Sequence, residues 1–312
     1  MIEYLKRLPK VELHAHLNGS LSLDTLRDLG LDLQVELLDL KDFFKLFPQI
    51  YSLTDTKDKI KEICNKTIQE FKKDSVIYLE LRSTPRSSPR MTMDEYVEGL
   101  VESTPLSGIK VNWILSMDRR FSLEKNSQIL ELALKYAKYG VKGVDVCGDP
   151  NEGDLRDLIP LLKRAKDHGL YVTVHLGEIS HQDEEISQVL ASKLVDRIGH
   201  GTFLDGNEVK SLGIPIEICL TSNLKCKIVK DIATHHFHDF HMDDHPVILC
   251  TDDKGIFLSD LSQEYFLASK AFNLGKKELF DLAYKSVEYI FDTEDVKQDL
   301  RSIFKEFEAQ SL

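Results

Sequence analysis

Val11-Glu12-Leu13-His14-Ala15-His16-Leu17-Asn18-Gly19-Ser20 is the stretch from which the fold can be read. It is an apolar, strand-like run with two histidines two residues apart. Side chains at i and i+2 of a strand share a face, so His14 and His16 can aim two imidazoles at one point. Asn18 follows on that face, and Gly19-Ser20 turns the chain. A strand that ends in potential metal ligands and then turns predicts the C-terminal rim of a β/α barrel.

Working outward, short apolar or β-branched runs recur at Val11–Leu17, Val76–Arg82, Val111–Met117, Gly143–Cys147, Tyr171–Leu176, Arg197–Gly201, Ile214–Leu220 and Val247–Cys250. Helical patterns fill most gaps. Ser122–Tyr139 carries an apolar face of period 3.6, and Leu155–His168 does the same and stops at Gly169. Eight strands alternating with helices predict an α/β fold, a TIM (β/α)8 barrel, with one domain over 1–312. Leu21–Asp74 is long for one crossover and reads as several helices over the C-terminal mouth. Lys276–Ala309 reads as helices packed outside.

The bulk properties narrow the function. In 312 residues, 42% hydrophobic content supports a large core, and 29% charged content suits a soluble protein. A net charge of −12 argues against a protein that coats nucleic acid or an anionic membrane, though an anionic small substrate needs only a local basic pocket. Met1–Lys10 has no apolar signal-peptide core, and no run reaches membrane-spanning length. Cys64, Cys147, Cys219, Cys226 and Cys250 are scattered without a CxxC pattern and read as reduced thiols of a cytosolic protein. Cys250 reads as barrel filling, and Cys226 receives no role.

Polar residues collect at strand ends: His14 and His16 on the first, His175 and Glu178 on the fifth, His200 on the sixth, Asp252 and Asp253 on the eighth. Three histidines with a carboxylate suit zinc with an open position, where bound water becomes a nucleophile. A nearby glutamate and a fourth, non-ligand histidine can move protons. The cluster His235, His236, His238, His241 and His245 reads as an ordinary loop at the pocket rim rather than a second metal site.

The run Pro9–Ser20, His175-x-x-Glu178, Arg197-Ile198-Gly199-His200-Gly201 and Thr251-Asp252-Asp253 resembles the adenosine and AMP deaminases of the amidohydrolase superfamily, in order and spacing over nearly the whole chain. Leu81–Arg86, Cys219-Leu220-Thr221-Ser222-Asn223 and Thr251–Gly255 are most similar to the adenosine deaminase-like branch, which acts on N6-methyl-AMP. The H-x-E…P-C-x-x-C signature of the cytidine-type deaminases is absent.

The resemblance implies one Zn2+ per chain on His14, His16, His175 and Asp252, with Asp252 also counted as catalytic. It implies Glu178 as proton donor to purine N1. His200 is implied to help deprotonate and orient the water and to stabilise developing charge. Asp253 is implied to bind N7, the Gly148 N–H to reach N3, and His16 and Glu178 to touch substrate. Ser83, Thr84, Pro85, Arg86 and Asp118 are expected on the substrate wall. Arg119 and Arg120 read either as further anion contacts or as a solvated run.

Asn18 stands where adenosine deaminases place Asp against the ribose 5′-hydroxyl. A carboxylate about 4 Å from a phosphate would cost about 4 kcal/mol per charge pair at an effective dielectric near 20. Asn removes that charge, and Arg86 offers a fork that suits phosphate oxygens. Tyr51 stands where the branch usually has His; it either meets the phosphate with one hydrogen bond or packs on the base. The expected reaction is zinc-dependent deamination of N6-methyl-AMP, and of other N6-substituted AMPs, to IMP plus amine. The alternative is adenosine deaminase on the free nucleoside. The expected partner is a small purine nucleotide, with no nucleic acid or membrane, on a monomeric cytosolic protein.

Overall fold

Aliphatic and β-branched runs form eight strands: β1 (Lys10–His16), β2 (Val76–Ser83), β3 (Lys110–Asp118), β4 (Val141–Cys147), β5 (Tyr171–Leu176), β6 (Arg197–His200), β7 (Ile216–Ile218) and β8 (Val247–Leu249). The computed structural model describes residues 1–33, 40–104 and 108–311. Neighbouring strands pair in parallel in chain order from β1 to β8. The ring closes beyond β8, where the Asp252 N–H donates to the His14 carbonyl at 2.8 Å and the His16 N–H to the Asp252 carbonyl at 2.9 Å. The fold is the (β/α)8 barrel read from the sequence, and this closure brings the last strand's carboxylate to the first strand's histidines.

The helices follow their local signals. Ser122 caps Leu123–Tyr136 by accepting from the Lys125 N–H, and the expected helix ends in a 3-10 turn, Ala137–Tyr139. The expected Leu155–His168 helix is a 3-10 turn, Leu155–Leu158, followed by Ile159–Asp167. Pro160 explains the break, because proline lacks an N–H and suits a helix's first turn. Leu40–Phe44 and Phe47–Leu53 line the cavity at the mouth and follow Leu23–Asp28, whereas Lys57–Lys73, expected over the mouth, packs its apolar face on β2 and on the helix Met93–Glu102 outside the barrel; the part of that expectation on 34–39 lies outside the described residues. Lys276–Lys285 and Glu294–Ser311 form the C-terminal helices. No described helix is long and apolar enough to cross a membrane.

The barrel interior is charged. Glu12, Glu80, Arg82, Asp145, Arg197 and Glu217 are all buried. Arg82 Nη2 reaches Glu217 Oε2 at 2.6 Å, while Arg197 joins Glu80 and Glu217 at 2.6 Å each. Buried charges are tolerated only when paired and hydrogen-bonded. Their pairing fixes the floor on which the site stands.

Candidate active site

His14, His16, His175 and Asp252 each present a ligand atom, all within 4.8 Å of one another. His14 Nε2 and His16 Nε2 each lie 3.4 Å from Asp252 Oδ1, and His16 Nε2 lies 3.1 Å from His175 Nε2. The inward nitrogen of His14 is buried with no hydrogen-bond partner among the described residues. An orphaned buried nitrogen beside a carboxylate oxygen and two further imidazoles is costly alone and is resolved by a cation between them.

The outer nitrogens are anchored. His14 Nδ1 bonds Glu217 Oε2 at 2.7 Å and His175 Nδ1 bonds Asp145 Oδ1 at 3.0 Å. Carboxylates behind histidines set the tautomer so that Nε2 is bare toward a metal. Gly199, opposite His175 in the register, makes room: a Cβ there would sit 2.8 Å from His14 Cε1. Asp252 Oδ2 accepts from Ser222 Oγ at 2.7 Å, which turns Oδ1 to the histidines. A nitrogen and oxygen donor set with an open side fits zinc.

Proton-transfer groups border this cluster. Glu178 Oε2 lies 3.6 Å from His200 Nε2, and the Glu178 side chain is 13% exposed. Burial, reinforced by the nearby Asp252 charge against the lowering effect of His175, raises the Glu178 carboxyl to about 7. His200 and Asp252 have φ of +64° and +61°, which costs non-glycine residues roughly 1–2 kcal/mol. Those conformations re-aim both side chains at the strand ends.

A cavity of about 540 Å³ opens from the cluster. Asp253 lines it; burial and the adjacent Asp252 push its carboxyl well up, and its Oδ1 has no partner among the described residues. Gly19 is required beneath it, since a Cβ there would lie 1.5 Å from Asp253 Oδ1. Asn18 Nδ2 donates to the Tyr96 hydroxyl at 3.3 Å, its buried Oδ1 has no partner among the described residues, and Ser83 Oγ meets the same hydroxyl at 2.5 Å.

Arg86 is sandwiched, its Cζ 4.4 Å from the Tyr51 ring and 4.8 Å from the Tyr96 ring. Among the described residues it bonds the Tyr96 hydroxyl, the Thr54 carbonyl and Thr54 Oγ1, all neutral acceptors, which leave its charge available to a ligand. Tyr51 thus packs on Arg86, and burial raises its phenol's pKa. Asp118 lines the cavity but its carboxylate is held by Arg120 at 2.8 and 2.5 Å. Thr84, Gly148, Cys147 and Cys226 also line it, whereas Pro85 is buried behind the wall.

Arg119 is neither a solvated residue nor a cavity cation; it is buried against Glu185 at 2.7 Å. Sequence reasoning missed Glu217 and Asp145, the Tyr96 and Thr54 supports of Arg86, and Ser222. It also missed an aromatic wall of Phe43, Phe44 and Phe47 and the cavity cation Lys125. A charged residue inside an otherwise apolar strand was the available signal for Glu217 and Asp145. In the histidine loop, His235 and His236 reach inward to Asn223 and the His200 carbonyl, and no metal-binding group forms there among the described residues.

A family model described as adenosine deaminase matches residues 31–307. The N6-methyl-AMP deaminase of Bos taurus is 39% identical over 330 residues, covering 96% of this chain and 94% of that protein. The crystal structure of Arabidopsis N6-mAMP deaminase superposes with a TM-score of 0.92 at 37% identity, over 97% of this chain and 99% of that one. An Arabidopsis relative complexed with IMP gives 0.94 at 36% identity, over 99% and 100%.

Proposed function

Since the chain belongs to the adenosine deaminase family, we propose that it hydrolyses the C6–N6 bond of N6-methyl-AMP and other N6-substituted AMPs, giving IMP and the amine. The relatives named N6-methyl-AMP deaminase and the IMP-bound relative support this reading. The observation that carries it is a cavity with two chemically distinct ends. One end holds the histidine–carboxylate cluster; the other holds an un-neutralised guanidinium, Arg86, with a neutral Asn18 in place of a carboxylate.

Zinc would be held by His14, His16, His175 and Asp252, and when bound supplies a water acidified toward neutrality for attack. The chain's own groups do the rest. Glu178, protonated near neutral pH, donates to N1 and draws electron density from C6. Asp253, kept protonated, donates from its free Oδ1 side to N7, an acceptor. The Gly148 backbone N–H faces N3, and Asp118 with Arg120 holds the ribose side. Arg86 takes the phosphate, with Asn18 beside it and Ser83, Thr84 and Tyr51 completing that wall. As water adds at C6, N1 takes the Glu178 proton and a carboxylate of the site takes one water proton; the C6–N6 bond then breaks, that proton leaves on the amine, and the remaining O–H proton returns to Glu178, so the 6-oxopurine keeps N1–H. His200 Nε2, beside Glu178, meets the developing oxygen charge.

The test is product analysis with zinc-loaded protein. Stoichiometric IMP and methylamine from N6-methyl-AMP are expected. Turnover of N6-methyladenosine alone would overturn the nucleotide reading.

A further inference from the structure

The histidine loop carries a hydrogen-bond chain that ends on His200. Its polarity can be assigned from one fixed donor. The Phe237 backbone N–H donates to His235 Nδ1 at 3.0 Å, so that nitrogen is bare. Burial lowers the His235 pKa to about 2, so the ring is neutral and its proton is on Nε2. Nε2–H then donates to Asn223 Oδ1 at 3.0 Å. This fixes the amide orientation, which alone would be ambiguous. Asn223 Nδ2 is therefore the end that faces His200 Nδ1, at 3.3 Å, as a donor.

We propose that Asn223, locked by His235, is a positioning residue that holds neutral His200 as the Nε2–H tautomer, a hydrogen-bond donor toward the reacting centre rather than a base. His200 Nε2 faces Asp252 Oδ2, an acceptor, at 3.9 Å and Glu178 Oε2 at 3.6 Å, and a carboxyl that holds its proton on one oxygen still accepts on the other, which suits an N–H there. Bare Nε2 would require the ring proton on Nδ1, where Asn223 already points an N–H. Turning the Asn223 amide would set its NH2 against the N–H of His235. His235, Asn223 and His200 are only 1%, 3% and 3% exposed, so bulk water cannot repair either mismatch. His236 supports the geometry: it stacks on His235 at 4.1 Å and its Nε2 bonds the His200 carbonyl at 2.7 Å. Of the roles open to His200 in this reaction, the chain selects orientation of water and stabilisation of oxygen charge. Proton acceptance falls to a carboxylate of the site.

The inference rests on the proposed deaminase reading for its catalytic meaning but not for its test. The experiment is 15N NMR of the histidine rings in zinc-loaded protein, with the His200 signals assigned by their loss in His200→Gln. A bare Nδ1 and protonated Nε2 on His200 are expected; a protonated Nδ1 overturns the proposal whether or not the protein is active. Asn223→Asp, isosteric but an acceptor, is expected to place a proton on His200 Nδ1. It should lower kcat at least roughly 100-fold, the scale of a wrong tautomer or a lost oxyanion donor, with KM within about threefold. An unchanged His200 spectrum in that variant overturns the relay. If Asn223→Asp does not fold, His235→Phe is measured instead and is expected to give mixed His200 tautomers, a single unchanged tautomer counting against the proposal. Absence of turnover by wild type sinks the deaminase reading alone, because the ring signals still decide the tautomer.

Discussion

Glu217→Gln is the perturbation that most searchingly tests how the barrel interior supports the site. Glu217 is fully buried. Its Oε1 accepts from Arg197 Nε at 2.6 Å and Thr173 Oγ1 at 3.2 Å; its Oε2 accepts from Arg82 Nη2 at 2.6 Å and His14 Nδ1 at 2.7 Å. Glutamine has one acceptor oxygen and one NH2, so in either orientation the NH2 faces two donors. With the NH2 toward His14, the ring relieves the clash by leaving Nδ1 bare and putting its proton on Nε2, where the metal lone pair is needed. With the NH2 toward Arg197, a buried guanidinium loses a partner. Removing one partner of a buried charge pair costs about 3–5 kcal/mol. Gln keeps one good acceptor, so the low end, about 3 kcal/mol, is expected. That lowers Tm by roughly 4–5 °C for a chain of 312 residues. Loss of an anchor behind a histidine ligand costs roughly 10–100-fold in metal affinity. Calorimetry of the metal-free protein and zinc titration against a competing chelator read the two effects separately. Zinc affinity within about twofold of wild type and an unmoved Tm would refute the reasoning.

Further outcomes follow from the cavity. Glu178 must be protonated to act, and its carboxyl is raised to about 7, so this group's contribution to kcat/KM is full below that pH and falls about tenfold per unit above it. Glu178→Gln should abolish that limb and lower kcat about 10²–10⁴-fold, and a pH–rate profile of both proteins checks it. Asn18→Asp should penalise the nucleotide by up to about 4 kcal/mol, near a thousandfold in kcat/KM, while sparing the nucleoside; equal losses on both substrates would count against the phosphate assignment. Gly19→Ala would drive a Cβ to 1.5 Å from Asp253 Oδ1 and displace that carboxyl, with roughly a 10²-fold loss of kcat/KM at unchanged zinc content by elemental analysis.

What the sequence revealed was set by local pattern. His14, His16, His175, His200 and Asp252 were legible because polar residues punctuate apolar runs at strand ends, and a barrel collects those ends at one rim. The interior charges were not legible. Glu217 and Arg82 are 135 residues apart, and only ring closure brings β2 to β7 across the barrel. Arg86 could be chosen as a cation, but its clamp by Tyr51, Tyr96 and Thr54 depends on how the mouth helices cross. Arg119 and Arg120 look alike in sequence, yet one residue of rotation sends the first to Glu185 and the second to Asp118. The histidine loop read as ordinary because its partners, Asn223 and the His200 carbonyl, lie on other elements of the barrel rim.

The most direct measurement of the central claim is a side-by-side determination of kcat/KM for zinc-loaded protein on N6-methyl-AMP, AMP and adenosine. A cavity with charge-bare Asn18 and un-neutralised Arg86 predicts that N6-methyl-AMP is preferred over adenosine by a large factor. A preference for adenosine would contradict it, leaving the barrel and its metal cluster but removing the phosphate role from both residues.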